Sequence, residues 1–493
     1  LRAIHQPRGW KEAADARRRL VYDELMLMQL GLALSAKSRH GRLTAPKMRL
    51  DRLLDERIRK RFPFELTAAQ KRSIWEIAAD IQSTSPMSRL LQGDVGSGKT
   101  VVALYAMLVA VANRLQAAIL APTEVLAEQH YLTLSTLLKD SNVAIELLTS
   151  RTKRESRGAV AKHVAEGKVH IAVGTQALIQ EDVEFANLGL VVADEQHKLG
   201  VRQRATLRGK AQAPHYLVMT ATPIPRTLAL SYFADFDVST IDELPPGRRP
   251  IQTKWLRQAQ GPEAYQFVRE QVKQGRQACV VLAQIEDNGV DDAKSLKAHF
   301  EKLSKGPLAG VRLGMLHGQM KTEEKQKVMG EFREGKIDVL VATTVIEVGV
   351  DVANASVMVI EDADRFGLPQ LHQIRGRVGR GTADSYCLLI ADAATEESAS
   401  RLNAMTRTND GFEIAEIDLK LRGPGDFFGT RQHGLPEFKL ADITQEIELL
   451  KVAKEDALEL LKNDPDLSKA EHRALRRRLV KQFGDDLFLA QVG

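Results

Sequence analysis

Cysteine is nearly missing from this 493-residue chain, which contains only Cys279 and Cys387. Both lie inside apolar runs, "QACVVLA" and "SYCLLI", that read as buried strands. Two buried thiols cannot build a disulfide framework, and no Cys/His spacing matches a zinc site. A reducing compartment is therefore expected, the cytoplasm or nucleoid. No apolar run approaches the roughly 20 residues that cross a bilayer, so no membrane association is expected. Neither sign of charge dominates: 70 Lys and Arg against 64 Asp and Glu give a net charge of +6. That excess allows a nucleic-acid partner without requiring one. A signal-peptide pattern is absent as well. The sequence starts at Leu1 rather than Met and reads as part of a longer protein.

What is present has the length for about three domains. A long helix is expected from about Lys11 to Lys37, with Val21, Leu25, Met28 and Leu32 on one stripe that docks on a neighbouring domain. A basic, proline-marked stretch follows to about Pro63. From Leu66 to about Leu244, short apolar runs alternate with helical patterns: "AAILAP", "VHIAVGT", "LGLVVADE", "HYLVMTAT". Runs of this kind suit parallel strands buried on both faces. "DELPPGRRP" interrupts the pattern as a linker. The alternation resumes from Ile251 to about Ala393, so two doubly wound α/β domains are expected in tandem. The last hundred or so residues read as helical, around a glycine-rich stretch, "LRGPGDFFGTRQHG".

"GDVGSGKT" follows the apolar run "SRLLQ" and precedes the helical pattern "VVALYAMLVAVAN", which is the context a phosphate-binding loop needs. Gly93, Asp94, Val95, Gly96, Ser97 and Gly98 would curl backbone amides around phosphate oxygens. Lys99 would reach the β- and γ-phosphates, and Thr100 would ligate Mg²⁺. In "LVVADEQH", Asp194 and Glu195 emerge at a strand end; Asp194 would hold Mg²⁺ and Glu195 would orient or deprotonate the attacking water. In "FELTAAQ", Gln70 would read the adenine edge and Phe64 would stack on the base, although Thr67 also reads as an ordinary helix N-cap there. Thr220 and Thr222, in "MTATPIPRTLAL", would couple nucleotide state to domain movement. "QLHQIRGRVGRG" reads as a helix with Gly376 and Gly379 in its interior, a costly arrangement. Gln373, Arg377 and Arg380 would reach from it across the domain cleft onto ATP, whereas Arg375 reads as a surface residue.

With these pieces in order, the sequence resembles superfamily 2 helicases and, more closely, the RecG family of branched-DNA translocases. "LTAAQKR", "APTEVLAEQH", "VGTQALIQ", "DEQHKLGV", "IDELPPGRRPI", "LHGQMK" and "VLVATTVIEVGVDV" carry the resemblance along nearly the whole chain. Two departures stand out: Lys198-Leu199 replaces the family's usual Arg-Phe, and the match around "LAQIEDN" is loose, so Glu286 has no assigned role. The resemblance implies two RecA-like motor domains at 63–247 and 248–394. Residues 1–62 would form an N-terminal linker with a connecting helix, and residues 395–493 a translocation hairpin, loop and C-terminal helices. An OB-fold wedge domain would precede "LRAIHQP".

The resemblance also implies ATP and Mg²⁺ as cofactors, with Gly349 and Asp351 added to the ATP site. Thr123, Glu124, Gly174, Thr175, His197, His317, Thr343 and Thr344 would contact DNA or couple to it, gripping phosphates without reading sequence. The alternative for the threonines is strand-end capping. "ESASRLNAMTRTND" and "GFEIAEIDLKLRG" would form the hairpin, with Ile414, Ile417 and Leu421 on one face of the second helix. Arg401 and Arg422 would share hydrogen bonds across it, and Gln432 would lie on the following loop. The implied partners are branched and double-stranded DNA, with a single-stranded-DNA-binding protein as a candidate recruiter, and the expected state is a monomer. The rival readings are a transcription-repair coupling translocase and a non-catalytic fork-binding scaffold.

Overall fold

The computed structural model describes residues 2–40, 44–150, 154–180, 183–195, 213–223, 225, 236–283, 292–343, 354–379, 381, 383–422, 439–441 and 446–483. Its frame is two parallel sheets. The first is built from β1 (Ser88–Gly93), β2 (Gln116–Leu120), β3 (Ile145–Leu148), β4 (Ile171–Gly174), β5 (Leu188–Asp194), β6 (His215–Thr220) and β7 (Asp237–Ile241), in the order β3-β4-β2-β5-β6-β1-β7. The second contains β8 (Gln252–Leu256), β9 (Gln277–Val281), β10 (Leu313–Leu316), β11 (Val339–Ala342), β12 (Ala355–Glu361) and β13 (Tyr386–Ile390), ordered β10-β11-β9-β12-β13-β8.

The central strands β2, β4, β9 and β12 are buried along their length, as an α/β sheet covered by helices on both faces requires. The first sheet separates two apolar layers, one around helix Lys99–Ala112 and one around Leu148, Val164 and Leu178. Register places the chemistry. β1 pairs β6 with Gln92 opposite Thr220, and β5 pairs β6 with Asp194 opposite Met219. The P-loop, the Asp194-Glu195 pair and the Thr220–Thr222 segment therefore leave neighbouring strands at one edge of the sheet, where open α/β sheets bind ligands.

The long N-terminal helix spans Trp10–His40 and buries Val21, Leu25 and Met28. Its partner is helical rather than a sheet: Leu449, Leu450 and Ala453 of helix Ile447–Asn463 and Leu419 of helix Gly411–Arg422 complete that cluster. Within the stretch that reads as basic and proline-marked there is also a helix, Arg52–Arg59, with Asp51 as N-cap accepting from Leu54 N at 2.8 Å.

The segment "QLHQIRGRVGRG" differs from its expected form. The helix is Leu368–Arg375, and Gly376 is its C-cap rather than an interior residue. Gly379 follows in a turn with φ +81°. No helix is broken, so no compensating interaction is needed. Gly376 has another reason: a Cβ there would fall 2.8 Å from the Val95 Cβ of the P-loop. The small residue lets the two domains touch.

Candidate active site

β1 runs straight into the loop Asp94–Gly98, and helix Lys99–Ala112 leaves it. Gly96 and Gly98 sit at φ +76° and +87°, the left-handed region where a side chain is strained. At Gly98 a Cβ would also collide with the Gln70 amide, and at Gly93 it would lie 2.6 Å from Ser97 Oγ. The Lys99 Nζ folds back and donates to Gly93 O and Asp94 O, both at 2.8 Å. Burial pushes its ammonium down to about 8, against the pull of Glu195, Asp194 and Asp94. Thr100, half-buried, is the second residue of the helix.

Asp194 ends β5 with its Oδ2 2.8 Å from His130 Nε2. Burial alone would raise its carboxyl. The His130 bond, with Lys99 and Arg377 nearby, outweighs that and holds it below the usual carboxylate range. Glu195 adopts φ +52°, uncommon outside glycine and worth about 1–3 kcal/mol of strain. Its N–H donates to Met219 O at 2.9 Å and its Oε1 accepts from Ala221 N at 3.0 Å. Among its acidic neighbours, Glu195 acts most strongly on the Lys99 charge. Thr220 and Thr222 face each other with hydroxyls 3.0 Å apart.

Gln70 is buried, and its amide is engaged within the protein. Oε1 accepts from Thr67 N at 3.0 Å, closing a capping box, and Nε2 donates to Ser97 O at 2.8 Å. Here the residue steadies the P-loop, and Thr67 is the N-cap. Phe64 is 47% exposed and stacked on Phe62, with ring centroids 6.1 Å apart.

The second domain and the hairpin after it close the site, partly through residues that carried no role in the sequence. His372 Nε2 lies 2.6 Å from Asp94 Oδ1, and Gly411 N donates to Asp94 Oδ2 at 3.3 Å. Burial would raise the Asp94 carboxyl; the His372 bond, the Val95 N–H and Lys99 keep it below its ordinary value. Arg375 is not a surface residue. It is 1% exposed and donates to Met405 O at 2.8 Å, Thr408 O at 2.9 Å, Thr253 Oγ1 at 3.3 Å and His372 Nδ1 at 2.9 Å. Gln373 and Arg377 are half-buried, and Arg377 is close enough to bias Asp194. His130 and His372 each stand in a stretch whose pattern was noticed; only the sheet order shows which carboxylate each one meets.

Candidate nucleic-acid contacts gather at other strand ends. Thr123 caps helix Glu124–Leu137 and accepts from Leu126 N at 3.4 Å, which is the capping alternative. Glu124 pairs with Ser150 Oγ. Gly174 ends β4 opposite Leu120 and Leu148, where a Cβ would collide with Leu148 O, and Thr175 beside it is buried. In the second sheet, Leu316 pairs Ala342, which sets His317 beside Thr343. Gln326 Nε2 links the two regions directly, donating to Glu128 Oε1 at 2.9 Å and Oε2 at 2.8 Å and joining helix Thr322–Arg333 to helix Glu124–Leu137.

In the hairpin of Glu396–Arg407 and Gly411–Arg422, Arg401 bonds Glu397 at 3.0 Å and Asp364 O at 2.9 Å, and Arg422 bonds Asp418 at 3.0 Å. None of these bonds spans the two helices. Arg401 still biases the buried Asp418 that Arg422 holds, so the groups form one cluster. His197, Lys198, Leu199, Glu286, Thr344, Gly349, Asp351, Arg380 and Gln432 lie outside the described residues, as does "GPGDFFGTRQHG". No helix among the described residues is long and apolar enough to cross a membrane.

Three family models match in order along the chain: "DEAD/DEAH box helicase" over residues 67–230, "Helicase conserved C-terminal domain" over 263–382, and "ATP-dependent DNA helicase RecG, domain 3, C-terminal" over 408–485. The ATP-dependent DNA helicase RecG of Synechocystis sp. is 47% identical over 97% of this chain and 58% of its own length. The Bacillus subtilis relative of the same description is 46% identical over 98% of this chain and 70% of its length. The chain thus spans 58% to 72% of the length of the curated relatives it matches. A solved structure of RecG bound to a three-way DNA junction superposes with a TM-score of 0.73 at 44% identity, covering 91% of this chain and 59% of that one.

Proposed function

The chain belongs to the RecG family of ATP-dependent DNA helicases, and we propose from that premise that it is the motor of a double-stranded DNA translocase. Its substrates would be branched DNA, through reversal of stalled forks and migration of Holliday junctions. The observation that carries the reading is the meeting of Lys99, Asp194 and Glu195, from one sheet edge, with Arg377 and the Asp94–His372 contact from the second domain. ATP phosphates would lie on the Gly93–Thr100 loop, and Lys99 would leave its two carbonyl partners for them. A buried carboxylate kept ionised at Asp194, with the Thr100 hydroxyl, offers the hard oxygen donors that suit Mg²⁺. The ion would neutralise charge developing on the phosphates.

Glu195 would orient water, and Gln373, Arg377 and Arg380 would reach the nucleotide from the second domain. Binding would draw the domains together, and hydrolysis would release them. Contacts at Thr123, Glu124, Gly174, Thr175, His317 and Thr343 would grip backbone phosphates, making DNA binding salt-sensitive and indifferent to sequence. A monomer in the bacterial nucleoid, recruited by a single-stranded-DNA-binding protein, fits this role.

Phosphate release measured side by side on duplex, forked and single-stranded DNA and on RNA tests the reading. Stimulation by duplex and forked DNA is expected, abolished by Lys99→Ala. In Glu195→Gln, nucleotide binding should persist while turnover falls on the order of 10²–10⁴-fold. Fork binding with no phosphate release on any nucleic acid would replace this reading with that of a non-catalytic scaffold.

A further inference from the structure

β7 ends at Ile241 and β8 begins at Gln252, so the segment between them is the covalent link from one sheet to the other. Gly247, at φ +90°, turns that segment, and Arg248 N closes the turn on Pro245 O at 3.4 Å. Two adjacent arginines then go different ways. Arg249 is exposed and pairs with Asp384 at 2.6 Å. Arg248 is half-buried and enters the nucleotide site: Nη1 donates to Val95 O in the P-loop, and Nη2 to Gly376 O at 3.4 Å on the second domain. Its guanidinium occupies the space above Gly96, where a Cβ would collide with it. The same charge acts on Lys99.

We propose that Arg248 is a further phosphate ligand of this site: its guanidinium, hydrogen-bonded to the P-loop backbone, turns onto the terminal phosphates when a nucleoside triphosphate enters. The inference rests on the reading of Gly93–Thr100 as an ATP site. Two cations packed against one loop repel each other and attract a polyanion between them. Backbone carbonyls are neutral acceptors; phosphate oxygens are charged and match the planar guanidinium fork in bidentate fashion. Exchange of Val95 O and Gly376 O for phosphate is therefore favourable. Because Arg248 lies on the interdomain segment, that exchange would also tell the second domain how many phosphates the first one holds. Lys99, fixed at the start of its helix, has no such connection.

Calorimetric titration of the full chain with a non-hydrolysable ATP analogue and with ADP distinguishes the outcomes. Arg248→Ala and Arg248→Gln are each expected to weaken the triphosphate roughly 10- to 100-fold, as for a lost charge-assisted hydrogen bond. ADP should weaken only a few-fold, and Arg248→Lys should fall between, since it restores charge without the fork. Equal losses for both nucleotides would make Arg248 a structural pin between the domains and overturn the proposal. Unchanged or tighter triphosphate binding would overturn it too. Lys99→Ala runs beside these variants: if the wild type binds no nucleotide, or Lys99→Ala binds as well as wild type, the ATP-site reading itself fails. Thermal melts of the arginine variants separate lost contact from lost folding.

Discussion

His372 and Asp94 are 278 positions apart in sequence, and their side chains meet at 2.6 Å across the domain boundary. The partner on the other side of the ring fixes the direction of the bond. Arg375 donates to His372 Nδ1 at 2.9 Å, and a guanidinium can only donate, so Nδ1 accepts and Nε2 carries the proton given to Asp94. Gly411 N holds the other Asp94 oxygen. A P-loop carboxylate is thereby tied to the second α/β domain and to the start of the hairpin's second helix.

Removing the imidazole should loosen that closure. His372→Ala is expected to lower DNA-stimulated ATPase about 10- to 100-fold, corresponding to ~1.5–3 kcal/mol for a hydrogen bond to a charged group. His372→Gln, whose amide can still donate to Asp94, should recover part of the rate. Steady-state phosphate release checks both, and a full rate in His372→Ala would dismiss the contact as incidental.

Arg375 organises more structure than its neighbours do. Its loss would leave Met405 O and Thr408 O without donors inside the protein. Arg375→Ala should therefore cost about 3 kcal/mol or more in urea unfolding. Arg375→Lys should rescue little, because a single ammonium cannot reach both carbonyls and His372. A shift below about 0.5 kcal/mol, the range of ordinary surface changes, would contradict the network.

The hairpin has its own pH signature. Burial raises the Asp418 carboxyl above its ordinary 3.8, with Arg422 and Arg401 pulling the other way. With its folded value raised, the native state binds more protons than the unfolded one between 3.8 and that value, so this group's contribution to stability declines as pH rises through the window. Asp418→Asn keeps an acceptor for Arg422 and has no charge to bury. Its stability relative to wild type should improve from pH 4 to pH 7 in urea unfolding. A difference that stays flat with pH would mean that Arg422 already compensates for the burial.

Arg401 and Arg422 sit where the hairpin and the second α/β domain meet, Arg401 on Asp364 O and Arg422 against Gly367. If they transmit cleft closure to DNA, Arg422→Ala should leave DNA-stimulated hydrolysis largely intact while strand displacement falls steeply. The ratio of ATP consumed to strand displaced decides this. A constant ratio, with both activities falling together, would assign Arg422 to folding instead.

The parts of the candidate site legible in the sequence are those whose context is local. Gly93–Thr100 announces itself because a buried strand leads in and a helix leads out, and Asp194-Glu195 because an apolar run ends there. The parts missed depend on which strand lies beside which. Nothing in "LAEQH" tells that His130 meets Asp194, or in "LHQIR" that His372 meets Asp94 and that Arg375 is buried between three elements. Gly376 was misplaced because glycine after a helix and glycine within one look alike until a neighbour, here Val95, shows why a side chain cannot fit. Strands β3, β7 and β8 went unnoticed because edge strands are partly exposed and lack a continuous apolar run. Helix Arg52–Arg59 is mostly charged, and only its Asp51 cap marks the start.

The helix pairing that joins Trp10–His40 to Ile447–Asn463 also sets a timetable. Tyr22 meets Asp456 at 2.5 Å, across 434 positions, and Val21, Leu25 and Met28 pack against Leu419, Leu449, Leu450 and Ala453. On a ribosome adding about 5–20 residues per second, those side chains emerge roughly 20–90 s before their partners exist. Both parallel sheets can form in that interval. While they do, the stripe lacks the cover that Leu419 and helix Ile447–Asn463 later give it.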